Sequence, residues 1–308
     1  MVLFSVLWLA VTPLWSQPLQ PPRPNDPLTE ANQILGFAEA LFHNGDYFRA
    51  ITEYKRFLFL YPTDARAGRV QLQIGISYQR GQQWEDARKT FEEIARQHAD
   101  VDIRSEAAYR VGETSFEQGR YAQAIADLRP VAERSPHIPV GEQARYLLGW
   151  SYLRARQWPE ASQTFAIIDA TSPLFPSSRA LADAAREGEE LPRKSPALAG
   201  LMSAVIPGTG QFYTGRWRDG TVALLLNGAF LAAGLEAVSA GNEAAAGLLL
   251  FFEAAWYSGA IYGAVNAAQK YNLDLEERWL QGLDRQHGPN SHALSRLSPS
   301  LVLVHIPF

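Results

Sequence analysis

Small and large apolar residues recur along the first half of the chain at a fixed interval. The pattern starts at a small residue, reaches an alanine twelve positions on, and a large apolar side chain four positions later. The first set is Ala38, Ala50 and Tyr54, and the second is Gly75, Ala87 and Phe91. The third is Gly112, Ala124 and Leu128, and the fourth is Gly149, Ala161 and Phe165. Each alanine lies 37 residues after the one before it. Between the paired positions stand turns that carry an aromatic: NGDYFRA, GQQWEDA, QGRYAQA and ARQWPEA. This spacing predicts two antiparallel helices per unit, crossing where side chains are small, with the large residue filling the space beside the crossing. Pro62, Pro136 and Pro173, with Ala99 in their place in the second unit, are expected to end the second helices. No unit buries its own apolar face, so units stack, and SSRALADAAREGE at 177–189 is expected to be the solvating cap helix.

After LPRKSP the texture changes. Residues 197–206 (ALAGLMSAVI) are apolar, and 220–239 and 244–268 are apolar runs of bilayer-spanning length. Their glycines and alanines allow close helix contact. AGNE at 240–243 predicts a tight connection and an antiparallel hairpin. Asn227, Glu236 and Glu253 interrupt the runs, and acids in lipid cost at least a few kcal/mol, so they are expected to turn inward. The expected structural role is a buried hydrogen bond between Asn227 and Glu253. A proton or ion pathway, or a buried hairpin in a globular core, are the alternatives.

Over residues 31–175 the paired helices, the small-residue crossings and the terminal prolines resemble the tetratricopeptide repeat family. The usual period of that family is 34 residues, and here three more lie between units. The longer period resembles repeats of bacterial envelope proteins such as the Tol-Pal coordinator and the outer-membrane assembly lipoprotein, although no cysteine is present to carry a lipid. The resemblance implies an all-α solenoid whose first helices line a groove for a protein or peptide. Carried onto this sequence, the groove comprises Leu35, Phe42, Leu72, Ile76, Tyr109, Phe116, Tyr146, Trp150 and Arg154. Each aromatic among them could equally be packing between units.

The stretch PGTGQFYTGRWRDG at 207–220 looks at first like a phosphate loop. It lacks the lysine of GxxxxGK[ST] and the strand and third glycine of a dinucleotide fingerprint. Pro207 and Gly208 are instead expected to end an apolar segment, with Gly210 permitting a sharp turn. Gln211, Tyr213, Gly215 and Arg216 complete the pattern PGxGQxYxGR. Phe212, Tyr213 and Trp217 suit the headgroup level, Arg216 and Arg218 suit its anionic surface, and Asp219 can cap the next helix. The pattern is similar to the interfacial elbow of small paired-span bacterial membrane domains of the TM2 type.

The N-terminal MVLFSVLWLAVTPLWS fits a signal peptide better than a span, although no basic residue precedes its apolar run. The expected order is a leader at 1–16, a proline-rich linker at 17–30, and four repeats with a cap at 31–190. A membrane-associated region at 191–272 and a tail at 273–308 follow. Exported repeats with two crossings would put Arg216, Arg218 and Lys270 outside, against the positive-inside tendency. A third crossing by 197–213 places them inside and is preferred here, although the segment is short enough to be only re-entrant. A cytoplasmic repeat region with a two-span hairpin also satisfies the rule. LSPSLVLVHIPF is expected to be an edge strand or tail.

Composition narrows the chemistry. The net charge of −4 gives no basic field for nucleic acid, and the absence of cysteine removes disulfides and thiolate chemistry. His43, His98, His137, His287, His292 and His305 form no metal-ligand spacing. The pairs Glu92/Glu93 and Glu276/Glu277 and the group Glu187, Glu189 and Glu190 read as wet helix faces, and His287 and His292 as solvated. No nucleophile elbow occurs. The expectation is a non-enzymatic scaffold without cofactor or metal, tethered to membrane lipid in a bacterial envelope. Its repeats would be periplasmic and its hairpin in the inner membrane. A transport or insertion accessory using Glu236 and Glu253 is the alternative.

Overall fold

A computed structural model describes residues 27–134 and 139–289. The leader, most of the proline-rich segment, Pro136, His137, His292, His305 and LSPSLVLVHIPF lie outside these residues. Among the described residues the fold is all-α, with helical-hairpin repeats followed by a hydrophobic helical hairpin. The repeats hold α1 (Pro27–His43), α2 (Tyr47–Leu60), α3 (Ala67–Arg80), α4 (Trp84–Gln97), α5 (Val101–Glu117), α6 (Tyr121–Arg134), α7 (Pro139–Arg154) and α8 (Trp158–Ala166). Then come α9 (Phe175–Glu189), α10 (Pro196–Val205), α11 (Thr209–Tyr213), α12 (Trp217–Ser239) and α13 (Glu243–His287). The chain forms two compact units, divided inside α5 between Arg104 and Ser105.

In the first unit, Leu35, Ala38, Ala50, Tyr54, Phe57 and Val70 make a core between α1, α2 and α3. Gly75 of α3 has no room for a side chain, because the Phe91 ring of α4 occupies the space a Cβ would need. In the second unit, Leu128 fills the same space beside Gly112. A Cβ on Gly149 would fall 2.6 Å from Phe165 Cε1. Ala50, Ala87, Ala124 and Ala161 are fully buried, as are Tyr54, Phe91, Leu128 and Phe165. The 37-residue pattern is thus the imprint of one contact, a bare backbone meeting a large side chain.

The turns repeat as well. Gly45, Gln82, Gly119 and Arg156 each take a left-handed backbone, with φ of 78°, 58°, 71° and 61°. They too lie 37 residues apart. A side chain in that conformation costs roughly 1–2 kcal/mol. Glycine regains most of this but loses some to its freer unfolded chain. Gln82→Gly is therefore expected to stabilise the first unit by about 0.5–1 kcal/mol in denaturant unfolding.

One sequence expectation fails here. Proline does not end α8, which stops at Ala166, well before Pro173. Asp169 accepts from the backbone N–H and hydroxyl of Thr171 and turns the chain out first. Pro130 stands inside α6, and Pro136 lies outside the described residues. Pro62 does follow the last residues of α2.

Beyond the cap helix α9, α10 runs along α13 and the chain then turns back through α11. Tyr257 Oη donates to the Ala204 carbonyl (2.8 Å) at one end. At the other end Asn272 exchanges two hydrogen bonds with the Lys194 backbone (2.7 and 2.8 Å). Ser195 N donates to Tyr213 Oη there (3.2 Å). Segment 197–213 therefore starts and finishes at the same end of α13. Helices α12 and α13 form the expected hairpin, closed by Gly241 (φ 70°) and by Asn242, whose side chain caps α13 at Ala245 N. The unexpected feature is length: α13 does not stop near residue 268 but continues unbroken to His287, 45 residues in all.

Candidate functional site

The continuation of α13 ends on the face of the last repeat. Its sequence, NLDLEERWLQGLDRQH, places Leu275, Trp279 and Leu283 at intervals of four, flanked by acids. This amphipathic stripe packs on α7, α8 and α9, with Leu280 fully buried and Trp279 and Leu283 against the same core. Trp279 meets Trp158 edge-on (5.5 Å between ring centroids), and both rings cover Gly188 of α9, where a Cβ would not fit. The cap helix is therefore itself covered on this face.

Polar groups fix the register. Tyr146 Oη and Trp150 Nε1 both donate to the His287 carbonyl, at 2.5 and 3.1 Å. The last carbonyls of a helix have no partner within it, so the repeat supplies the missing donors. Arg154 reaches Glu277 (3.7 Å) and Asp284 (3.4 Å). This places a cation at the negative end of the helix dipole.

Glu276 is the most enclosed group of the set, 7 % exposed. It accepts from Arg156 Nε (2.5 Å) and Arg193 Nε (2.7 Å). Burial alone would raise its pKa; the hydrogen bonds from Arg193 and Arg156 outweigh burial and hold it below the usual carboxylate value. For a lowered pKa the stabilisation is complete above the unfolded value, about 4.3, and is lost as pH falls through the folded value beneath it. Docking of the α13 tail should thus be constant from pH 7 down to about 5 and weaken below about 4. Glu276→Gln should loosen the tail at neutral pH and flatten that acid response. Protease resistance of the tail measures both.

The expected groove residues divide into three sets. Tyr146, Trp150 and Arg154 do lie together, but they hold the chain's own helix, so no partner reaches them in this structure. Leu35, Leu72, Ile76 and Tyr109 are buried in the helix-packing layers of their own units. Phe42 and Phe116 are half-buried, each edge-on to the aromatic that opens the next helix, Tyr47 (5.4 Å) and Tyr121 (5.5 Å). Glu276, Trp279, Leu280 and Asp284 are not among the residues expected from sequence, and Glu276 is bound rather than solvated. The four-residue stripe of the tail was the available signal.

The 207–215 elbow is a packing node. Gly208 adopts φ 95°, and a side chain there would strike the Gly220 carbonyl of α12. The sharp turn is thus at Gly208, whereas Gly210 lies within α11. A Cβ on Gly210 would strike the Ala199 carbonyl and come within 2.6 Å of Ala264 Cβ. Gln211 Nε2 donates to the Ala260 carbonyl (2.8 Å) and its Oε1 accepts from Ser203 Oγ (3.0 Å). Lys194 Nζ donates to the Tyr213 carbonyl (2.5 Å). Pro207 follows the end of α10, and Gly215 takes φ 82°. Asp219 caps nothing and pairs with Arg216 (2.5 Å) instead. The spaces beside Gly208 and Gly210 are filled by protein, so these two glycines form no cradle for a phosphate.

The expected Asn227–Glu253 hydrogen bond is absent. Asn227 Nδ2 turns back to the Ala223 carbonyl of its own helix (2.6 Å). Asn227 Oδ1 and Glu253 Oε2 are left buried without partners, on residues 3 % and 7 % exposed. Glu236 is exposed, one turn before the α12–α13 connection. No group of three or more His, Asp or Glu that could hold a metal occurs among the described residues.

With the hairpins, their crossings and the occupied groove described, comparison with known families agrees. Tetratricopeptide-repeat family models match residues 72–137 and 115–184. Hairpin α1–α2 lies outside both matches and is joined to them by the 37-residue register. No curated protein matches the chain.

Proposed function

We propose that this chain is a non-enzymatic, membrane-tethered tetratricopeptide-repeat scaffold of a bacterial envelope that binds protein or peptide partners on its first helices. The observation that carries this reading is the last repeat holding a helix in its groove, with donors for the helix end and arginines for its acids. A surface that grips an acidic amphipathic helix within the chain has the chemistry to grip another in a partner. Phe42 and Phe116 are the half-buried aromatics offered by the other repeats, and such side chains make good anchors.

The tether rests on where the apolar side chains point. Both α12 and α13 are long and apolar enough to cross a membrane. Their large side chains face outward: Val222, Leu225, Leu235, Leu248, Phe251 and Trp256 are all exposed. A core helix of a water-soluble protein would bury them, whereas a helix solvated by lipid need not. The chain is expected to stay with membranes through carbonate extraction.

A photo-crosslinking residue at Phe116 tests the scaffold reading in cells. Protein adducts at 116, with none at Ala122 on the exposed side of α6, are expected. Equal yields at both positions, or none at 116, would count against it. The unpartnered atoms of Asn227 and Glu253 favour a second reading, a transport or insertion accessory in which the intramembrane acids act. Under that reading Glu253→Gln abolishes function while crosslinks at 116 persist.

A further inference from the structure

Every cation near the membrane segment lies at one end of it. Lys194 stands over the rings of Tyr213 and Tyr271, at 4.7 and 5.1 Å, and is bonded to Asn272. Arg216, Lys270, Thr214, Tyr271 and Asp274 line one cavity of about 200 Å³ at the same level. Arg193 and Arg218 adjoin this collar in sequence, and the exposed Trp217 stands beside it. Between Arg218 and Lys270 there is no lysine or arginine. The far end, at 240–243, carries only Asn242 and Glu243, with Glu236 a turn away.

The collar is also the end at which the repeats sit. Helix α13 leaves the apolar zone at Lys270 and, without a break, reaches the groove of α7, where Glu276, Asp284 and the His287 carbonyl are bound. Since α10 and α11 return to the collar rather than cross, the chain arrives from the repeats and comes back to them on one side. Lysine and arginine next to spans accumulate on the cytoplasmic side.

We infer that the repeats of the second unit face the cytoplasm, with the 240–243 connection alone among the described residues exposed across the membrane, so that the partner is a cytoplasmic protein. This rests on the membrane reading above, and it reverses the periplasmic placement expected from the leader. The orientation also sets the aromatic and cationic collar against the anionic cytoplasmic leaflet.

The natural absence of cysteine allows a direct test. Ala122→Cys on α6 and Ala240→Cys at the connection are both exposed positions. Each full-length variant is treated with a membrane-impermeant maleimide in spheroplasts. Labelling of Ala240→Cys in intact spheroplasts, and of Ala122→Cys only after lysis, is the expected result. The opposite pattern overturns the orientation while leaving the crossing intact. Labelling of both, or of neither, before lysis shows that the hairpin does not cross, and removes the tether together with the orientation.

Discussion

Trp150→Ala should destabilise the second unit by about 3–5 kcal/mol, the usual cost of removing a fully buried tryptophan. Trp150 is fully buried and is among the largest side chains of the core. Its removal opens a cavity against the core of α7 and α8 and deletes one donor to the His287 carbonyl. The consequence reaches beyond α7, because the same ring supports the tail of α13. Arg278 and Arg285 are exposed on that tail but lie in helix, where trypsin cuts only after local opening. Rapid cleavage at both is expected in Trp150→Ala and slow cleavage in the parent chain. Trp150→Phe keeps most of the volume and loses one hydrogen bond, while Tyr146 still donates. It should cost only about 1 kcal/mol beyond the small change in volume. If both variants cleave equally fast, the ring contributes little to holding the tail.

The second large effect is at the elbow. Gly210→Ala should cost about 3 kcal/mol or more, at the upper end of overpacking, because the new methyl meets the Ala199 carbonyl. A backbone oxygen cannot swing aside as a side-chain end can. Displacing α11 would also break the bonds of Gln211 to Ala260 and Ser203. Gly215→Ala provides the comparison. Gly215 takes a positive φ, which Gly210 does not, but it faces open space, so the substitution should cost only about 1–2 kcal/mol. Thermal unfolding in detergent should rank Gly210→Ala well below Gly215→Ala, and equal midpoints would refute the packing role of the elbow.

What the sequence made legible follows from how local each contact is. The crossing of two helices within a repeat needs a small residue, an alanine and a large residue at fixed spacing, so it leaves a period. The hairpin needs two apolar runs and a turn, and these are contiguous. The orientation of a carboxylate is not local. Glu276 looks like any acid on a wet helix until Arg156 and Arg193, 120 and 83 positions away, are brought to it. Four of the groove positions are buried for a related reason. Leu35, Leu72, Tyr109 and Tyr146 recur every 37 residues, but a helix packed on both sides has no purely concave face, and all four are buried. At the elbow the glycine pair reads in sequence as a turn. One glycine proved to be the turn and the other a close approach, and sequence gives the same letter for both.

The association of an apolar span with the last repeat through one continuous helix is the claim on which tether, groove and orientation all depend. Hydrogen exchange of the full chain in lipid nanodiscs, resolved over residues 271–287, tests it most directly. The amides of this segment should exchange as slowly as those of α7, and both should quicken together in Trp150→Ala. A segment that exchanges like a free peptide while α7 remains protected would contradict the account.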